Sequence, residues 1–162
     1  MVSFFLTIAT NYISNDSPGA LDNASGLYTV WKMPQYLHNS PLSHGEVWFI
    51  LIGAEEINQQ GAIAFLNKYK TELNPSNTLV MNLDMIGLKN NPLEFVDCFY
   101  VPKKELSPFL LDLVYKSANE LNIKIKGWYL WIGGYSDGFL FHEEGYKTID
   151  FITKEASKYT HQ

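Results

Sequence analysis

Four carboxylates stand where apolar runs stop. In "WFILIGAEE" (48–56), a stretch suited to burial ends in Glu55 and Glu56. "TLVMNLDMIG" (78–87) carries Asp84 where a second apolar run finishes, and "SPGALDNASG" (17–26) carries Asp22 just ahead of a helical pattern. If these acids share one rim they repel, by roughly 4 kcal/mol for a pair about 4 Å apart at an effective dielectric near 20. A bound divalent cation is the simplest neutraliser. Plainer alternatives stand beside this one. Glu55 and Glu56 suit the first turn of a helix, where the macrodipole favours negative charge, and Asp22 suits an N-cap. Asp84 is harder to set aside, because it interrupts a core run and needs a partner once buried. Of the histidines, His161 lies in a polar tail, His38 and His44 flank a loop, and His142 in "LFHEEG" fits a helix surface.

The elements that must position these residues follow from periodicity and punctuation. Apolar runs at 2–13, 46–53, 78–85, 95–102, 124–128 and 148–152 are expected strands. Helical spacing is expected over 24–38, 55–70, 106–123 and 138–144, with Ser107 and Pro108 as cap and first-turn residues of the third. "NPSNT" (74–78) and "KNNPLE" (89–94) are loops. Alternating strands and helices imply an α/β fold, a mixed, mostly parallel sheet with helices on both faces. In such sheets the carboxyl ends of the strands share an edge, and ligands bind there.

With 162 residues, 46% hydrophobic and 15% aromatic, the chain has the length and composition of one globular domain. A net charge of −5 without a lysine cluster argues against nucleic acid. One cysteine, Cys98, excludes an internal disulfide and a four-cysteine zinc site. All 12 basic residues are lysines, so the bidentate clamp that arginine offers carboxylates and phosphates is missing. An acidic rim without arginine suits a free α-ammonium group better than a free C-terminus. The apolar start, "MVSFFLTIAT", lacks the positive region of a signal peptide and is too short to cross a bilayer. No membrane association and a cytoplasmic location are therefore expected.

"SPGALDNASG", "GAEEINQQGAIAFL", "NLDMIG", "SDGFLFHEEGYKTIDF" and "YTH" resemble, in that order, motifs of the co-catalytic zinc aminopeptidases, the bacterial leucyl-type enzymes whose zinc-exopeptidase fold is shared with glutaminyl cyclases. The resemblance implies a hydrolase that removes N-terminal residues from peptides. It implies that Asp22 bridges two zinc ions, that Glu55 is the general base and that Glu56 binds one metal. Asp84 would bind the other, and His161 would join Glu56 on its ion. Tyr135, Ser136 and Asp137 of "GGYSDG" would line the substrate pocket, the alternative being a simple glycine-rich turn.

The family's remaining ligand is a histidine in a His-x-Asp motif that closes an early strand, and here "IATNYIS" places Thr10 and Tyr12 at those positions. Threonine is a poor substitute for imidazole on zinc. One zinc ion per chain is the resulting expectation, against two in the full family pattern. Against that family the domain over 1–162 is short at both ends. The first expectation is therefore a zinc-dependent aminopeptidase acting on peptides with a free N-terminus, with homo-oligomers admitted. The alternative is a non-catalytic or single-zinc relative, either a peptide-binding module or a glutaminyl-cyclase-like enzyme.

Overall fold

A computed structural model describes residues 19–99, 104–131 and 135–159. The expected strand over 2–13, Thr10 and Tyr12 within it, and the tail carrying His161 lie outside them. The described strands are β1 (Leu79–Asp84), β2 (Leu93–Phe99), β3 (Lys104–Glu105), β4 (Ile125–Leu130) and β5 (Lys147–Ile152). The helices are α1 (Ser25–Asn39), α2 (Gln60–Tyr69), α3 (Pro108–Glu120) and α4 (Asp137–Glu143), with a 3-10 turn at Lys154–Lys158.

The strands form one mixed sheet. β1 runs parallel to β5 from Leu79↔Lys147 to Asp84↔Ile152, and β2 runs parallel to β4. β5 meets β2 antiparallel at Val96↔Asp150, and the short β3 pairs antiparallel with the end of β2. Because side chains alternate across a strand, β5 divides its load between two cores. Ile149 and Phe151 pack with Phe95, Leu83 and, from α3, Leu110. Ile152 packs on the opposite side with Val96 and, from α4, Phe139. Phe141 of α4 then meets Ala62 and Leu66 of α2. Helices therefore cover both faces, α3 on one and α4 backed by α2 on the other. Ser107 caps α3 by accepting the Leu110 N–H, with Pro108 at the first helical position, which is the role the sequence suggested for that pair.

Two local expectations are corrected. Residues 46–53 are not assigned as a strand, and no pairing for them is described. Apolar runs become strands only where a neighbour supplies hydrogen bonds, and within the described residues β1 ends the sheet. The second helix starts at Gln60, not at 55, because Ala54, Asn58 and Gln59 take positive φ values of 63°, 68° and 49° that a right-handed helix excludes. Among the described residues no helix is long and apolar enough to cross a membrane.

Candidate functional site

Asp84 is the last residue of β1, and Met85 after it turns the chain with φ of 49°. Burial pushes the Asp84 carboxyl up to about 7, and the negative charges of Asp22, Glu55, Asp150 and Asp137 push the same way. Asp22, Glu55, Asp150 and Asp137 therefore each lie within electrostatic reach of Asp84. No ion pair to Asp22, Glu55, Asp84 or Asp137 is formed among the described residues.

Glu55 sits in the tight turn between the apolar run and α2, closed by Gln59 N–H to the Glu55 carbonyl (2.8 Å) and Gln60 N–H to the Ala54 carbonyl (3.1 Å). The turn leaves Glu55 half-buried and Glu56 exposed. Burial raises the Glu55 pKa; the Gln59 side chain, donating to Oε1 at 3.5 Å, opposes this, while Glu56, Asp137 and Asp22 add to it. The two adjacent glutamates are thus neither helix starters nor equivalent. Glu55 belongs to the acidic cluster, whereas Glu56 acts on Glu55 and does not figure among the charges acting on Asp84.

Asp22 is not the cap of α1 either. The capping oxygen is Asn23 Oδ1, which accepts the Gly26 N–H at 3.0 Å. Asp22 itself has extended geometry (φ −110°, ψ 97°) ahead of the helix, and it joins the cluster through its charge on Asp84 and Glu55.

Below this rim lies a buried polar group that sequence reasoning missed. Asp150, in the middle of β5, is wholly buried, and its Oδ1 accepts from Asn82 Nδ2 (2.8 Å) and Ser136 Oγ. Its Oδ2 is buried without a hydrogen-bond partner among the described residues, as is Asp137 Oδ1. Burial raises Asp150 and Asp137 to about 6 each. Ser136, in the N-cap position of α4, makes no cap bond because its hydroxyl turns to Asp150. Tyr135 donates to Glu143 Oε2 at 2.6 Å. The "YSDG" segment is therefore more than a glycine-rich turn, since it carries Asp137 to the acidic cluster and Ser136 to the buried acid. The signal for Asp150 was present: like Asp84, it interrupts an apolar strand, "TIDFI".

In donor chemistry the cluster fits a divalent cation: hard carboxylate oxygens, partly desolvated. In arrangement it is not a finished site. Among the described residues no group of three or more His, Cys, Asp and Glu side chains is placed to hold a metal ion. His161, the expected imidazole ligand, lies outside them.

The end of β1, where half-buried Asp84 stands, is the kind of position at which ligands bind in open α/β sheets, and comparison with known proteins narrows the class to a family. The profile of peptidase family M28 matches residues 7–162, and the chain belongs to that family. It is 31% identical over 142 residues to aminopeptidase YwaD of Bacillus subtilis (strain 168), an alignment covering 84% of this chain and 29% of that protein. It is also similar in fold to a chain of the PhTET1-12s dodecamer, with a TM-score of 0.60 at 20% identity, covering 80% of this chain and 39% of that one. The chain thus spans well under half the length of either relative.

Proposed function

We propose that this chain is the metal-binding core of an aminopeptidase-type peptidase that takes peptides by their free N-terminus. The observation that carries the reading is the set Asp22, Glu55, Asp84 and Asp137, half-buried carboxyl groups whose charges act on one another with no ion pair to them among the described residues, in a member of a peptidase family. Asp22, Glu56 and His161 are the residues that would hold zinc, one ion per chain in view of Thr10, with Asp84 the ligand of a second ion in the full family pattern. Bound there, zinc would supply Lewis acidity to the scissile carbonyl.

The chain's own residues account for the rest. Glu55, its carboxyl raised by burial, accepts a proton from the attacking water and returns it to the departing amine. A base whose pKa approaches the working pH does this best. The Gln59 amide on Oε1 orients the Glu55 carboxyl. Asp137, half-buried beside the acidic cluster, offers an acceptor to the substrate's α-ammonium group. Tyr135 and Ser136 hold the segment that presents it.

Turnover of a panel of amino-acid amides, with zinc supplied, tests the reading. Wild type is expected to hydrolyse at least one of them, and Glu55→Gln to lose about 10²–10⁴-fold in rate while binding zinc as wild type does. Zinc binding without turnover by wild type would transfer support to the second reading, a peptide-binding or single-zinc relative. That reading draws on the lack of a three-residue metal group among the described residues.

A further inference from the structure

The residue that joins the two halves of the acidic rim is Asn23. Its Nδ2 donates to the Leu83 carbonyl at 2.9 Å, and its Oδ1 accepts both the Met85 N–H at 3.2 Å and the Gly26 N–H at 3.0 Å. Leu83 and Met85 flank Asp84, and Asn23 follows Asp22 directly. One carboxamide therefore grips the backbone on either side of one carboxylate while its own backbone carries the other. The approach is close. A Cβ on Gly26 would lie 2.2 Å from the Leu83 carbonyl oxygen, a backbone atom that cannot swing away. The first turn of α1 is thus pressed against the end of β1, and only the Asn23 side chain supplies hydrogen bonds across that joint among those described.

We propose that Asn23 is a positioning residue, its carboxamide clasping the Asp22 segment onto the end of β1 and thereby setting Asp22 against Asp84. Two repelling carboxylates do not stay together unaided, and buried backbone groups at a strand end must find partners. Asn23 satisfies a donor at Met85 and an acceptor at Leu83 while holding the acids at a fixed separation. The consequence for zinc rests on the function proposed above; the clasp itself does not.

Two variants separate clasping from helix capping. Asn23→Ala removes every bond. Asn23→Ser keeps a side-chain oxygen suited to capping α1 but is too short to span to Leu83 and Met85. Amide hydrogen exchange in metal-free protein is expected to show Met85 losing protection in both variants, and Gly26 losing it only in Asn23→Ala. Zinc affinity, measured by competition with a chromophoric chelator, is expected to fall about 10–100-fold in both, the range seen when residues that orient metal ligands are removed. Asn74→Ala, which loses two side-chain bonds to Ser76 in an exposed loop, serves as a control and should leave both measurements unchanged. Met85 protected as in wild type in Asn23→Ser, or zinc affinity restored by serine, overturns the proposal. A wild-type chain that binds no zinc overturns the metal reading instead, and the exchange pattern at Met85 still decides the clasp.

Discussion

Asp150 carries a cost that its pH dependence should expose. Its carboxyl is raised to about 6 in the fold, against an ordinary value near 3.9. The folded state therefore binds the proton more tightly than the unfolded chain does. Below about pH 4 both states are protonated and Asp150 costs nothing; as pH rises through 6 the buried charge appears and stability falls. Asp137 and Asp84, raised to about 6 and about 7, slope the same way. Metal-free protein is accordingly expected to melt at a lower temperature at pH 8 than at pH 5. Asp150→Asn should match wild type near pH 4 and exceed it at pH 8 by roughly 1–3 kcal/mol. Its amide oxygen still accepts from Asn82 and Ser136, and the charge is gone. Chemical denaturation with chelator present measures both, and an unchanged pH slope in Asp150→Asn would show that this acid is not the origin.

At the scale of elements, the backbone of α4 at Gly138 comes close against the Asp150 carboxylate of β5. A Cβ on Gly138 would sit 2.1 Å from Asp150 Oδ1 and 2.4 Å from Oδ2. The helix can approach β5 this closely only because residue 138 has no side chain. Gly138→Ala must push α4 away from Asp150, Ser136 and the Phe139 core, at a cost expected to be about 1–3 kcal/mol, as for overpacked interiors. Pairing it with Asp150→Ala removes the obstructing carboxylate. The double variant should be more stable than the sum of the single effects implies, with a coupling of about 0.5–3 kcal/mol. Strict additivity in a thermal or denaturant cycle would mean that the helix does not rest on Asp150.

For the whole molecule, the acidic rim is a source of repulsion that a bound cation would relieve. Anything that binds only the folded state stabilises it by mass action, about 2.7 kcal/mol at a hundredfold excess over Kd. Zinc is therefore expected to raise the melting temperature by several degrees for a chain of this size, chelator to reverse the shift, and Asp84→Asn to diminish it. It should also flatten the pH slope above, because a bound cation replaces the protons that the carboxylates otherwise take up. A melting curve indifferent to zinc at neutral pH would remove the support that the acidic cluster lends to the proposed function.

Local patterning determined a great deal of this protein. Strand and helix alternation, β1 and β5 within a residue or two, and the Ser107–Pro108 start of α3 follow from period, burial and cap chemistry, which depend on residues within one or two turns of each other. Asp84 was legible as an acid that ends an apolar strand, whereas neither Asp22 nor Glu55 follows a described strand, and only the fold brings their charges to bear on it. The tertiary structure decided what depends on partners distant in the chain. Residues 46–53 have a strand's composition and no described strand partner. The helix after Glu55 begins five residues late because three positive φ values close a turn that propensity does not reveal. Asn23 looks like a loop residue until Leu83 and Met85, sixty positions away, arrive at its carboxamide. Asp150 looks like an oddity in a strand until Asn82, Ser136 and the bare backbone of Gly138 converge on it. In each case the sequence carries the group, and only the fold supplies the second atom of the contact.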